Sequence, residues 1–180
     1  AMESRGLGDV YKRQILHCVG SFAVRPPHAM NKEAFEAVIS TNLTSAFLTL
    51  SIAGKAMLSQ GHGRMVFMSS VAGSLGLVNH EAISAAKGGI ESMVRSAAAT
   101  YANRGLRINA VAPGLTDTKL ASPIMSNETA SQAASQKIPI KRVGSKEEVA
   151  NVIKWLLTEA PENFTGQILH IDGGMSNVIV

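Results

Sequence analysis

The chain has 180 residues, of which 46% are hydrophobic and 17% are charged, and its net charge is +4. This balance is typical of one globular domain and excludes a disordered chain. The mild charge and the aromatic content of only 4% argue against a nucleic-acid surface, which needs a basic patch and stacking side chains.

The cysteine content and the hydropathy pattern narrow the class of protein further. Cys18 is the only cysteine, so an internal disulfide and a multi-cysteine zinc site are excluded, and no metal site is expected. No apolar run approaches the roughly 18 residues that a membrane span needs. The N-terminal stretch also lacks the apolar block of a signal peptide. We therefore expect a soluble, cytoplasmic protein with no membrane partner.

Four short apolar strands alternate with helices along the chain. Strands are predicted at 15–20, 64–68, 106–111 and 167–171, and helices at 31–58, 80–104 and after Ser145, with a mobile helix in the polar stretch 117–136. Glu148 lies three residues after Ser145 and completes a capping box. Apolar strands separated by helices predict a parallel sheet covered on both faces, the doubly wound α/β class.

The residues that follow these strands are the first candidates for a site. In doubly wound sheets, ligands bind beyond the carboxyl ends of the strands. Those ends carry Gly20, Ser69-Ser70, Pro113-Gly114 and Asp172-Gly173. The sequence therefore predicts one site along a single edge, although Asp172-Gly173 is more typical of a turn than of a ligand site.

Five motifs, in this order and spacing, resemble the short-chain dehydrogenase/reductase family. They are STNLTSAF (40–47), GRMVFMSSVAG (63–73), the helix carrying Lys87, RINAVAPGLTDT (107–118) and TGQILHIDGG (165–174). The resemblance implies a Rossmann-like fold and an enzyme that moves a hydride between NAD or NADP and an alcohol or carbonyl substrate.

The same resemblance implies the site residues. Asn42, Ser70 and Lys87 occupy the positions of catalytic residues, and Lys87 also occupies that of the lysine that binds the nicotinamide ribose. The other implied cofactor contacts are Gly20, Pro113, Gly114, Thr116 and Thr118. Purely structural roles stay open as alternatives, because Ser70 could merely end a strand and Lys87 could be an ordinary exposed lysine.

Two parts of the family pattern are missing. Residues 1–14 are an unmatched tail, and 15–180 correspond to the C-terminal two-thirds of the domain, so roughly 70–80 residues of the usual length are absent. The GLG at 6–8 does not follow a strand and fails as the pyrophosphate-binding turn. We therefore expect this chain to bind dinucleotide weakly, and neither the substrate nor the choice of NAD or NADP can be read from it.

The third departure concerns the proton donor. The family tyrosine stands thirteen residues after the serine and four before the lysine, and that position is Ile83. Isoleucine carries no dissociable proton, and general acid–base catalysis is worth ~10²–10⁴-fold in rate. Tyr101 lies about 27 Å further along the same predicted helix. The possible substitutes are Lys87, His80 and Ser70, with His80 better interpreted as a capping or solvent-facing residue.

Three hypotheses follow for the function of the chain. It is part of an oxidoreductase, a non-catalytic protein that keeps the fold for binding or assembly, or an incomplete piece of a gene product. The helix at 80–104 is rich in small side chains, which allow close approach of another helix. We expect the protein to form a homodimer or homotetramer through this helix. The alternative is that the helix only packs on the sheet of its own chain.

Overall fold

The computed structural model describes residues 14–179. Within this range the strands are β1 (Gln14–His17), β2 (Gly63–Met68), β3 (Leu106–Pro113) and β4 (Ile168–Ile171). The helices are α1 (Lys32–Ile39), α2 (Ser45–Gln60), α3 (Glu81–Tyr101), α4 (Ser122–Met125), α5 (Glu128–Gln136) and α6 (Lys146–Thr158). The GLG at 6–8 and nearly all of the predicted tail lie outside the described residues.

The four strands form one parallel sheet in the order β1-β2-β3-β4. Leu16 lies opposite Val66, which in turn lies opposite Asn109, and Val111 lies opposite Leu169. Parallel neighbours require crossover connections, and the helices supply them. The predicted α/β class is confirmed.

Side chains of β2 alternate between the two faces of the sheet. Met65 and Phe67 are fully buried in the core under α2 and α3, together with Ile90. Val66 points to the opposite face and packs in a second core with Leu156 of α6. Both faces are therefore covered, as the doubly wound class requires.

Helices α1 and α2 join through a π-turn at Ser40–Thr44, so the chain is helical from Lys32 to Gln60. By length and composition alone this stretch could cross a membrane, which corrects the expectation that no segment is apolar enough. Its buried residues Ala46, Leu50 and Met57 pack against the sheet in the first core. A core helix of a globular domain meets the same criteria.

Local signals placed the remaining helices with small errors. The Ser145 side chain accepts from the backbone N–H of Glu148, whose carboxylate accepts from the backbone N–H of Ser145, so the predicted capping box is confirmed. The polar stretch at 117–136 forms two short helices, α4 and α5, rather than one, because Asn127 leaves the helical conformation and caps α5.

Candidate active site

The carboxyl ends of the four strands lie along one side of the sheet, here called the carboxyl edge. Gly20 follows β1, Ser70 follows β2, Pro113 ends β3 with Gly114 directly after it, and Asp172 follows β4. Because all four strands are parallel, their ends face the same way. The opposite side, where Arg64 and Arg107 are the second residues of β2 and β3, is called the amino edge.

Lys87 lies on α3 with only 8% of its surface exposed. Its Nζ donates a hydrogen bond to the carbonyl of Met68, at 2.9 Å, at the end of β2. Among residues 14–179, no carboxylate lies within ion-pair distance of this amine. Burial lowers the pKa of Lys87 to about 8, and the nearby Cys18 acts in the opposite direction.

Asn42 lies inside the π-turn and is completely buried. Its Nδ2 donates to the carbonyl of Val38 at 2.9 Å and to Ser21 Oγ at 3.0 Å. Its Oδ1 accepts from the backbone N–H of Ser21 at 3.2 Å. The π-turn explains how an asparagine is held in the middle of a helix, and such turns occur frequently at functional sites.

Gly20 is the point where Asn42 and Lys87 converge. A Cβ added there would lie 3.0 Å from Asn42 Oδ1 and 3.5 Å from Lys87 Nζ. Any side chain at this position would enter the space between the two polar groups. Gly20 itself is exposed, and the absence of a side chain avoids the close contact with Asn42.

Ser70 lies at the same edge, two residues after the carbonyl that Lys87 binds. Its Oγ accepts from the backbone N–H of Ala72 at 3.2 Å and caps the short turn Val71–Gly73. The side chain thus has the structural role that the sequence left open for it, because it ends a strand by binding a backbone group. Its hydroxyl hydrogen is not used in this contact, so a donor remains at the half-buried strand end.

The structure shows a second buried polar pair that the sequence did not indicate. Ser69 Oγ donates to Glu91 Oε1 at 2.8 Å, and Glu91 is only 4% exposed. A Cβ at Gly73 would lie 2.5 Å from that carboxylate oxygen. Glu91 stands one helical turn beyond Lys87, and this i+4 spacing is the signal that could have found it.

His17 is also buried, and both of its ring nitrogens have partners. Nε2 lies 3.1 Å from Ser45 Oγ and Nδ1 lies 3.0 Å from Thr49 Oγ1. Because Ser45 donates its hydrogen to the carbonyl of Thr41, Nε2 must be the ring donor and Nδ1 the acceptor from Thr49. Burial and the charge of Lys87 lower the pKa of His17, so the neutral ring ties β1 to α2.

The expected cofactor residues after β3 form a separate group of contacts. Gly114 donates its N–H to the carbonyl of Ile171 at 3.0 Å, and Thr116 Oγ1 donates to the carbonyl of Gly114 at 3.1 Å. Thr118 is exposed. Asp172 accepts from the backbone N–H of Gly174, as the predicted turn requires. Within the described part of the chain, no hydrogen bond joins this group to Lys87.

Ile83 occupies the space expected for a phenol as an ordinary core residue. It is 3% exposed and packs with Val38, Ala72 and Ala86. The site therefore has an aliphatic wall between α3 and α1 where the family pattern has a proton donor.

His80 does not share the helical face of Ile83, because α3 begins only at Glu81. Its ring Nδ1 lies 2.7 Å from the carbonyl of Val78, and the ring packs edge-on against Phe22 at 5.8 Å. The condition that would make His80 a substitute acid is not met.

Tyr101 lies at the far end of α3 and packs against the first core.

No group of three His, Cys, Asp or Glu side chains within residues 14–179 could hold a metal ion.

Comparison with known proteins gives a family match over most of the chain. A family model described as enoyl-(acyl carrier protein) reductase matches residues 13–176. A cis-4-hydroxycyclohexanecarboxylate dehydrogenase from Sinomonas cyclohexanicum is 40% identical over 85% of this chain and 61% of its own length. The 3-oxoacyl-[acyl-carrier-protein] reductase MabA of Mycobacterium bovis is 40% identical over 81% of this chain. The chain spans about three-fifths of the length of these curated relatives.

Solved structures agree with the fold. A crystal structure from Agrobacterium tumefaciens, assigned as a gluconate dehydrogenase, superposes with a TM-score of 0.89 at 30% identity, covering 93% of this chain and 66% of that one. A gluconate 5-dehydrogenase from Burkholderia cenocepacia, in complex with NADP and tartrate, gives 0.90 at 24% identity over 96% of this chain and 68% of that one, which supports the fold alone. The chain belongs to the short-chain dehydrogenase/reductase family.

Proposed function

We propose that this chain is part of an NAD(P)-dependent oxidoreductase that interconverts a small alcohol and a carbonyl compound, with 15–180 as the C-terminal two-thirds of its domain. The observation that supports this most directly is the convergence of Lys87 Nζ and Asn42 Oδ1 on Gly20, at the carboxyl edge of the sheet. Doubly wound sheets bind their ligands at that edge. The relatives are by name a dehydrogenase and a reductase.

The residues at this edge fit a nicotinamide and its ribose. Gly20 leaves open the space between Asn42 and Lys87 that a Cβ would fill. Lys87 uses one N–H on the carbonyl of Met68, so further N–H groups remain for the ribose hydroxyls. When bound, the nicotinamide would supply or accept the hydride.

The other predicted residues take complementary roles in this proposal. Ser70 keeps a free hydroxyl hydrogen for the substrate oxygen, where negative charge develops during reduction. Pro113, Gly114, Thr116 and Thr118 would line the cofactor from the β3 side. Asn42 positions the 20–21 segment through its bonds to Ser21.

Lys87 is the group that we propose carries the proton in place of the missing phenol. Its pKa of about 8 brings the amine close to the pH range in which a general acid is most effective. Ile83 cannot contribute, and the ring of His80 is bound to the carbonyl of Val78.

The decisive experiment restores the phenol in the full-length protein. Ile83→Tyr is compared with wild type in a carbonyl-dependent NADH and NADPH oxidation assay, with Val78→Tyr as the matched control because Val78 is 83% exposed. A gain of ~10²-fold or more in kcat for Ile83→Tyr alone supports an oxidoreductase limited by its proton donor. Good wild-type activity with no gain supports Lys87 as the acid. No activity in any variant refutes the proposal.

A binding measurement tests the cofactor part of the proposal on this chain as it stands. Titration with NADH and with NADPH, followed by nicotinamide fluorescence, should give only weak binding, because no glycine-rich pyrophosphate cradle follows a strand within 14–179. Lys87→Met should weaken it further. Micromolar affinity in this chain would contradict the expected need for that cradle.

A non-catalytic binding or assembly protein is the second candidate. The observation that favours it is the deep burial of Ile83 in an apolar cluster, where it packs as a structural residue. The Ile83→Tyr assay separates the two candidates, because a protein that keeps the fold only for binding would show no turnover with or without the phenol.

We further propose a homodimer or homotetramer in the cytoplasm, paired through the helix at 80–104. Exposed apolar side chains on the neighbouring α2, namely Phe47, Leu48 and Ile52, would extend that interface. Ala86 and Ala98 of α3 are already buried against the chain's own fold, so only the outer face of α3 could pair. Light scattering that gave a monomer over a wide concentration range would refute this.

A further inference from the structure

Lys87 is unusual among the described cations because it is buried without an anion. At the amino edge, Arg64 and Arg107 both pair with the carboxylate of Glu162. Lys87 instead has a single carbonyl partner, Met68. A buried ammonium without a carboxylate is destabilised relative to the neutral amine, and a neutral amine is a nucleophile.

The amine lies next to an exposed segment of the chain. Nζ lies 3.5 Å from the position that a Cβ of Gly20 would occupy, and Gly20 and Cys18 are both exposed. Four residues before Lys87 on the helix, Ile83 adds aliphatic surface rather than a phenol that could bind the amine. A small carbonyl compound entering beside Gly20 would therefore meet the amine directly.

We propose that Lys87 forms a reversible imine with small aldehydes that enter beside Gly20. The nitrogen lone pair forms a C–N bond to the carbonyl carbon. The C–O bond then breaks, and the oxygen leaves as water with the two hydrogens that the neutral amine carried. No redox partner is needed, so the reaction is independent of the proposed hydride transfer.

Burial, rather than the titratable groups around Lys87, favours the neutral amine. His17 on β1 is neutral, because burial and Lys87 itself lower its pKa. Burial raises the pKa of Cys18, so its thiol opposes the effect only weakly. Glu91, one turn along α3, has its Oε1 hydrogen-bonded to Ser69.

The expected advantage over a surface lysine follows from the pKa values. With a pKa of about 8 instead of the usual 10.5, half of the Lys87 amine is neutral at pH 8. The neutral fraction of an exposed lysine at that pH is lower by on the order of 100-fold. Lys87 should therefore be the preferred site of imine formation near neutrality.

The experiment traps the imine by reduction. The chain is incubated with propanal and cyanoborohydride, without nicotinamide, at several pH values, and alkylated lysines are quantified by peptide mass spectrometry. Exposed Lys154 on α6 serves as the internal control, which cancels the pH dependence of the reductant. We expect Lys87 to react on the order of 100-fold faster than Lys154 at pH 8, with a half-maximal rate near that pH.

Two variants complete the test. Lys87→Met should remove the fast label and leave that at Lys154 unchanged. Gly20→Ala narrows the entrance and should slow labelling at Lys87 alone. If either variant fails to fold, the comparison of Lys87 with Lys154 in the wild-type chain still decides.

Equal labelling of the two lysines, or none at Lys87, would overturn the imine proposal. That outcome leaves hydride transfer untouched. Conversely, an inactive full-length protein with a fast label at Lys87 would refute only the proposed oxidoreductase.

Discussion

The two edges of the sheet hold their cations in opposite ways. At the amino edge, Arg64 donates to the carbonyl of Ala160 at 2.6 Å and to Glu162 at 2.6 Å. At the carboxyl edge, the more deeply buried Lys87 has only the carbonyl of Met68. A buried charge without an anion costs stability, so the amino edge stabilises the fold while the carboxyl edge keeps the group for which we propose a chemical role.

The choice of side chain matches this difference. Arg64 and Arg107 are planar, always charged guanidiniums that reach several acceptors from one position, and both bind Glu162. Lys87 carries a compact amine whose pKa moves readily on burial. Binding two strands to one loop carboxylate requires a permanently charged group that reaches several acceptors. The proton transfer that we propose for Lys87 requires a group whose pKa lies near neutrality.

The largest expected effect comes from Lys87→Met. Because the folded pKa, about 8, lies below the usual 10.5, the unfolded chain binds the extra proton between these values and stability rises with pH there. Below pH 8, Lys87 therefore destabilises the fold by about 3 kcal/mol. Lys87→Met should raise the free energy of unfolding by up to that amount at pH 7, measured by urea denaturation.

The pH dependence separates this effect from simple repacking. The gain of the Lys87→Met variant over wild type should shrink as the pH rises from 8 toward 10.5, whereas exposed Lys154→Met should show no such trend. If Lys87→Met were less stable than wild type at pH 7, the claim that Lys87 destabilises the carboxyl edge would be wrong.

At the amino edge, Arg64→Met should act in the opposite direction. The substitution keeps the apolar stem but leaves the carbonyl of Ala160, a residue only 2% exposed, without its donor. We expect a loss of about 2 kcal/mol in the free energy of unfolding. Arg95→Met on exposed α3 surface is the control, and an equal loss there would show that the clamp contributes nothing specific.

Asn42→Ala should destabilise the carboxyl edge more moderately. It removes the partners of Ser21 and of the carbonyl of Val38, which costs about 1–2 kcal/mol. Asn151→Ala, at an exposed position of α6, is the control. Hydrogen exchange should show the 20–21 segment opening first, and unchanged protection there would contradict the holding role of Asn42.

The smallest effect is expected for Glu162→Gln. The carboxylate is 71% exposed, so its ion pairs with Arg64 and Arg107 are screened by solvent and contribute less than about 1 kcal/mol. The loss should vanish at high salt. A larger, salt-independent loss would mean that the amino edge depends on this carboxylate rather than on backbone carbonyls.

Local sequence patterns predicted most of the fold, and they failed where a feature depends on a break in periodicity or on distant residues. The capping box at Ser145 and Glu148 involves neighbours in sequence and was readable from spacing alone. The π-turn around Asn42 was not, because the helical periodicity continues through it. The i+4 spacing from Lys87 could have pointed to Glu91, but not to its partner Ser69, which lies 22 residues away along the chain.

The sequence by itself determined the strand and helix order, the parallel sheet, the edge that bears Gly20, Ser70 and Lys87, and the isoleucine in the place of the phenol. Only the tertiary structure decided the pKa of Lys87. Its burial and its bond to Met68 arise where α3 packs on the end of β2, and desolvation depends on everything that surrounds a group rather than on its neighbours along the chain.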